Sequence, residues 1–107
     1  MPRKILLSEA TNTKSYGGRY LENVLFAGVP SSGWICFSIA EVAAGFASPP
    51  IVWDQEQIGY MLSGKMIFES KGEEIEVSSG EIFHIRKGEE VTFFAQQRAR
   101  YIFVKWN

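Results

Sequence analysis

Arg98-Ala99-Arg100-Tyr101-Ile102-Phe103-Val104-Lys105-Trp106 is the stretch on which the fold class turns. Arg98, Arg100, Ile102, Val104 and Trp106 recur at period two, and Ala99, Tyr101, Phe103 and Lys105 occupy the alternate positions. Alternation of that length marks a β-strand, whose successive side chains point to opposite faces of a sheet. Toward the N-terminus the same texture repeats in shorter pieces. Ile58 to Leu62, Lys65 to Glu69, Glu74 to Val77, Ile82 to Ile85 and Val91 to Phe94 all read as strands. Ser63-Gly64, Lys71-Gly72, Ser79-Gly80 and Lys87-Gly88 separate them. Lys71-Gly72 has the form of a hairpin tip, with Gly72 supplying positive φ.

The first half is less regular. Residues 3–7, Tyr20 to Ala27 and Trp34 to Ala40 are apolar, β-forming segments. Residues 10–19 have no periodicity and read as a polar connection. Glu41 to Phe46 is long enough for a turn and a half of helix, but Gly45 and the Pro49-Pro50 pair leave no room to extend one, so strand is expected. Roughly eight to ten short strands in a single domain spanning residues 1–107 imply a barrel or sandwich. No strand–helix–strand unit, G-x-G-x-x-G, P-loop or H-E-x-x-H stretch occurs, which removes the nucleotide-binding α/β folds and the helical zinc proteases.

Composition narrows function further. Eleven basic and twelve acidic side chains leave a formal charge of −1, without the basic excess of a dedicated nucleic-acid binder. One cysteine, Cys36, excludes an internal disulfide and any thiolate cage, and one histidine, His84, excludes a site needing two imidazoles from one chain. Neither a signal h-region nor an apolar run of membrane-spanning length is present, so a soluble, cytoplasmic protein is expected, with no nucleic acid or membrane as partner.

Two glycine-framed stretches carry a family resemblance. Gly45 opens the first, which runs through Gln57 and closes on Tyr60-Met61-Leu62-Ser63-Gly64; the second is Gly80-Glu81-Ile82-Phe83-His84-Ile85-Arg86-Lys87-Gly88. Over residues 34–107 the chain resembles the cupins, whose fold is an all-β double-stranded β-helix, or jelly-roll, barrel. The cupin pattern places metal-binding histidines where this chain has Ile51 and Trp53 (Pro50 and Val52 in a register shifted by one), a glutamate at Gln57, and a last histidine at Val91. Iron, manganese, nickel or zinc held in the usual cupin manner needs imidazoles and a carboxylate. The resemblance therefore implies the fold without the metal, and no cofactor is expected. Within the superfamily the chain is similar to the cupin domain of the ethanolamine utilization protein Q family. Ala43-Ala44-Gly45-Phe46, Ile51-Val52-Trp53 and the terminal Tyr101-Ile102-Phe103-Val104-Lys105-Trp106-Asn107 carry that similarity. Members are associated with bacterial microcompartments and a proposed acetate kinase activity. Gln57 and Gly59 stand where the family often has acidic residues, so the activity is not carried over.

Three readings of the chemistry follow. As an enzyme, the chain would move a proton with His84 and Glu56 or Asp54, since histidine titrates near neutrality and paired carboxylates shift one another, while Arg86 holds a substrate anion. As a binding or sensing module, it would receive a small organic molecule in an apolar slot lined by Trp53, Met61 and Phe93, with Gln57 hydrogen bonding but unable to act as a base. As a structural subunit, its interior would be filled. His84 also reads as a half-buried residue tied to a backbone carbonyl, Arg86 as a solvated side chain, and Asp54-Gln55-Glu56 as a solvated loop. Cys36 reads as an inert buried thiol. A homodimer is expected in each case, with residues 3–7 and 20–27 as candidate interface strands.

Overall fold

The computed structural model describes Lys4, Leu6, the backbone of residues 11–15, and residues 17–28 and 35–106. Ten strands occur among these residues. They are β1 (Thr11–Ser15), β2 (Tyr20–Gly28), β3 (Ile35–Val42), β4 (Ile51–Val52), β5 (Glu56–Ser63), β6 (Lys65–Ser70), β7 (Glu73–Ser78), β8 (Ile82–Ile85), β9 (Glu90–Ala95) and β10 (Ala99–Trp106). One sheet has six strands in the order β1-β2-β3-β10-β5-β8, and the other has four in the order β4-β9-β6-β7. Every pairing is antiparallel. The result is an all-β, two-sheet jelly roll.

The strand expected over residues 3–7 lies, Lys4 and Leu6 apart, outside the described residues. Thr11–Ser15, expected to be a polar connection, is instead a strand paired with β2. The sequence Thr-Asn-Thr-Lys-Ser has no apolar alternation to announce it, and the ladder to β2 holds it rather than an apolar stripe. The strand read through Glu41 to Phe46 stops at Val42. Gly45 adopts φ 82° there, and the Phe46 amide donates to the Ala43 carbonyl in a turn. Lys71 and Gly72 both have positive φ, the two-residue hairpin geometry whose twist matches its flanking strands.

β10 forms the spine. It pairs with β3 along its whole length on one side and with β5 from Arg100 to Trp106 on the other. Ala99, Tyr101 and Phe103 face the interior, as the alternation requires, alongside the small inward residues Cys36, Ser38 and Ala40 of β3. Those small side chains leave room for long ones on the neighbouring strands. The gap between the sheets is filled with rings. Phe68 stacks on Phe83 at 4.8 Å between centroids, and Phe83 meets Tyr101 edge-on at 5.3 Å. Tyr20, Phe46 and Phe93 form a second group. Such pairs add about 0.5–1.5 kcal/mol each beyond the area they bury. Gly59 faces inward on β5 opposite Phe83, and a Cβ there would collide with the edge of the Phe83 ring.

Candidate functional site

β5 and β8 bring His84 and Glu56 together. On β8 the alternation buries Phe83 and Ile85 and turns Ile82 and His84 outward. On β5 it buries Gln57, Gly59 and Met61 and turns Ile58 and Tyr60 outward. His84 lies opposite Ile58 in the ladder, so the Glu56 carboxylate reaches it on the outer surface of the six-stranded sheet, at 2.8 Å from Nε2 to Oε2. His84 is 46% exposed and Glu56 31%. The hydrogen bond to His84, joined by one from the Lys87 backbone and by the charge of Arg86, holds the Glu56 carboxyl below its ordinary range. Arg86 is exposed, with its amide donating to Glu89 Oε1 at 2.6 Å. Asp54 is exposed in the turn before β5 and does not join the His84–Glu56 pair. The inward position on this part of β8 belongs to Phe83.

A different constellation lies inside, at the end of the sandwich where β10 finishes. Gln57 is 2% exposed, and its Oε1 has no hydrogen-bond partner. Trp53 is fixed by its backbone to the turn after β8, its amide donating to the Glu89 carbonyl at 2.9 Å and its carbonyl accepting from the Gly88 amide at 2.6 Å. Its ring packs against the core beside Ile51, yet Nε1 is buried without a partner. Gln57 sits directly opposite Lys105 in the β5–β10 register, on the inward face of both strands. Lys105, Trp53, Asp54, Gln55, Ile51 and Val52 line a cavity of about 370 Å³. Met61 and Phe93 belong to the packed core instead.

Lys105 is the end of a buried polar chain. Its ammonium donates to Glu22 Oε2 at 3.2 Å; Glu22 Oε1 accepts from the Tyr20 hydroxyl at 3.1 Å, and that hydroxyl lies 3.2 Å from the Tyr101 hydroxyl. Glu22 is only 3% exposed. Burial, together with the nearby Glu22 charge, pushes both phenols above their ordinary range, so each is a neutral hydrogen-bonding group. Lys105, Glu22, Tyr20 and Tyr101 were not singled out from sequence as site residues. One signal was visible: Lys105 is the charged member of the otherwise apolar face Ala99, Tyr101, Phe103. Glu22 gives no such signal, since its partner is 83 residues away.

The interior does not suit the metal ion of other cupins. Where imidazoles would converge the chain presents Ile51, Trp53 and Val91, and Gln57 offers an amide oxygen in place of a carboxylate. Among the described residues no group of three or more His, Cys, Asp or Glu side chains is placed to hold a metal ion.

The family model for the ethanolamine utilisation protein EutQ matches residues 28–107. The chain belongs to that family. No curated protein sequence matches it. Among solved structures it is similar to an RmlC-like cupin from Shewanella frigidimarina NCIMB 400, with a TM-score of 0.76 and 11% identity over 92% of this chain and 85% of that one. The EutQ protein of Clostridium difficile superposes with a TM-score of 0.67 and 19% identity, over 97% of this chain and 80% of that one. The polyketide cyclase RemF of Streptomyces resistomycificus gives 0.78 and 21%, over 99% of this chain and 80% of that one. At these identities the likeness is one of fold: this EutQ-family chain is a cupin jelly roll.

Proposed function

We propose that this EutQ-family cupin is a metal-independent receptor for a small polar organic molecule, held between the ends of its sheets by Gln57 and Trp53. One observation carries this. A polar atom buried without a partner costs about 1–3 kcal/mol, and Gln57 Oε1 and Trp53 Nε1 are two such atoms at one end of the sandwich, Trp53 lining an accessible cavity and Gln57 beside Lys105, which lines it too. A ligand with a donor and an acceptor removes both penalties. The Gln57→Leu variant provides the test. It should unfold at the same or a higher temperature than the parent without ligand, and should lose any ligand-induced rise in Tm. A Gln57→Leu variant that is markedly less stable without ligand would show that Gln57 serves packing alone.

A second reading is favoured by the 2.8 Å contact between His84 and Glu56. It makes the chain a proton-transfer enzyme, with Glu56 rather than Asp54 as the partner of His84 and Arg86 to hold an anion, acting on the outer face of the six-stranded sheet. The same face supports the expectation of a homodimer. Ile58, Tyr60, Leu62 and Ile82 are exposed there, and a nearly wholly apolar groove runs between them and Phe37, Ile102 and Val104. Such a patch on a small domain is more often covered than left to water. An Ile82→Lys variant sedimenting as a monomer beside a dimeric parent would support this; a monomeric parent would refute it. No helix among the described residues is long and apolar enough to cross a membrane, and a small-molecule receptor in the cytoplasm remains our reading of location.

A further inference from the structure

The interior site proposed above calls for a polar ligand, and Lys105 bears on its kind. Its side chain is only 12% exposed, and an ammonium carries three donors. Among the described residues it meets Glu22 Oε2 at 3.2 Å and the face of the Phe103 ring at 5.4 Å. One donor is thus used by a carboxylate, and a ring face is a weak substitute for the hydration that the others have lost. Glu22, for its part, is already bonded twice, by Lys105 and by the Tyr20 hydroxyl. The carboxylate's charge is shared out, whereas the ammonium still has donors to give. Asp54, also lining the cavity, is exposed, so solvent screens it.

The complement of these groups is specific. Lys105 and Trp53 line one cavity and bring an ammonium and an indole N–H to it, and Gln57, opposite Lys105 in the ladder, brings an acceptor beside them. Two acceptor oxygens and one hydroxyl satisfy them together. We propose that the ligand is a small hydroxycarboxylic acid, its carboxylate held by Lys105 and the Trp53 indole and its hydroxyl donating to Gln57. The assignment rests on the interior site proposed above and adds the ligand class to it. It also moves anion recognition from Arg86, the sequence-based candidate, to Lys105. Glu22, Tyr20 and Tyr101 act as positioning residues that hold the ammonium in the interior.

The test uses the full chain labelled with nitrogen-15, following the Trp53 indole N–H resonance, assigned by its loss in Trp53→Phe. Mandelate serves as a hydroxycarboxylate with an apolar body, mandelamide as its neutral counterpart, and phenylacetate as the acid without the hydroxyl. Mandelate should shift the resonance saturably, with both analogues at least about tenfold weaker, the scale of losing one charged or one buried hydrogen bond. Lys105→Met should bring mandelate and mandelamide to equal affinity. Because that variant takes the ammonium away from the buried Glu22 carboxylate, the neutral double variant Glu22→Gln/Lys105→Met is measured beside it and should show the same loss of discrimination. Equal binding of acid and amide by the parent, or discrimination surviving in the double variant, overturns the carboxylate assignment while leaving the interior site standing. Silence of the Trp53 resonance to all three compounds overturns both.

Discussion

Gly59→Ala is the sharpest structural test available. Gly59 lies opposite Phe83 on the inward face of paired strands, and the Phe83 ring rests where a Cβ would have to go. The need for glycine here is one of space: Gly59 is not among the residues with positive φ. The ring cannot easily withdraw, because it is stacked on Phe68 at 4.8 Å and braced edge-on by Tyr101 at 5.3 Å. One added methyl in a core packed this closely costs about 1–3 kcal/mol. For a domain of this size each kcal/mol is roughly 4–5 °C in Tm, so a fall of about 4–15 °C is expected. Urea and thermal unfolding of Gly59→Ala, Phe83→Leu and the double variant complete the experiment. Phe83→Leu alone should destabilise by loss of ring contacts, but the double variant should lose less than the two singles together, because the smaller side chain makes room for the methyl. Gly59→Ala within about 0.5 kcal/mol of the parent, or strict additivity in the cycle, would refute the claim that this pair is in steric contact.

Three further outcomes are expected. Gly64→Ala combines a positive φ of 83° with a Cβ directed into the backbone at Arg98 and Ala99, so it should be more damaging than Gly59→Ala, and equal denaturant midpoints would count against this. Glu22→Gln leaves the Lys105 charge buried without its partner and should cost about 3–5 kcal/mol, with much of that recovered in Glu22→Gln/Lys105→Met; a loss below about 1 kcal/mol would show that the pair is solvated. Glu56→Gln should reveal the lowered carboxyl pKa. A depressed folded-state value gives stability that is present above the unfolded pKa and lost as pH falls through the folded one. The Tm gap between parent and Glu56→Gln should therefore be open at neutral pH and close in acid, and a gap independent of pH would remove the His84–Glu56 bond as its source.

Period-two alternation made β8 and β10 legible to the residue, because one face of each is buried and the other is not. Thr11–Ser15 escaped for the opposite reason, having no apolar stripe, and Ile51–Val52 is too short to show a period. The sequence reading makes His84 a partner of Glu56 or Asp54 in an open cavity; the structure sets it against Glu56 on the outer face instead, because Phe83 and Ile85 have the stronger claim to the interior and send His84 out. Gln57 and Trp53 were legible through the cupin pattern, since the ligand positions point inward whatever residue fills them. The Lys105–Glu22–Tyr20 chain was not. It depends on β2 and β10 both lying beside β3, a fact of strand order that no local pattern contains.

β10 is hydrogen-bonded to neighbours on both sides throughout the span that carries Lys105. A strand so held cannot hinge, and its inward side chains inherit that stiffness. The ammonium therefore has little backbone freedom left to lose when a ligand arrives, so the ordering cost that weakens flexible-loop sites is largely met at folding. Two consequences follow for the kinetics and anatomy of binding. Entry should not wait on movement of this strand, and free and occupied forms should differ in side-chain rotamers at the sheet end rather than in the path of the main chain. Selection acting on ligand preference would then work by exchanging single inward residues near Gln57 and Trp53, while the ring-filled region keeps the molecule folded.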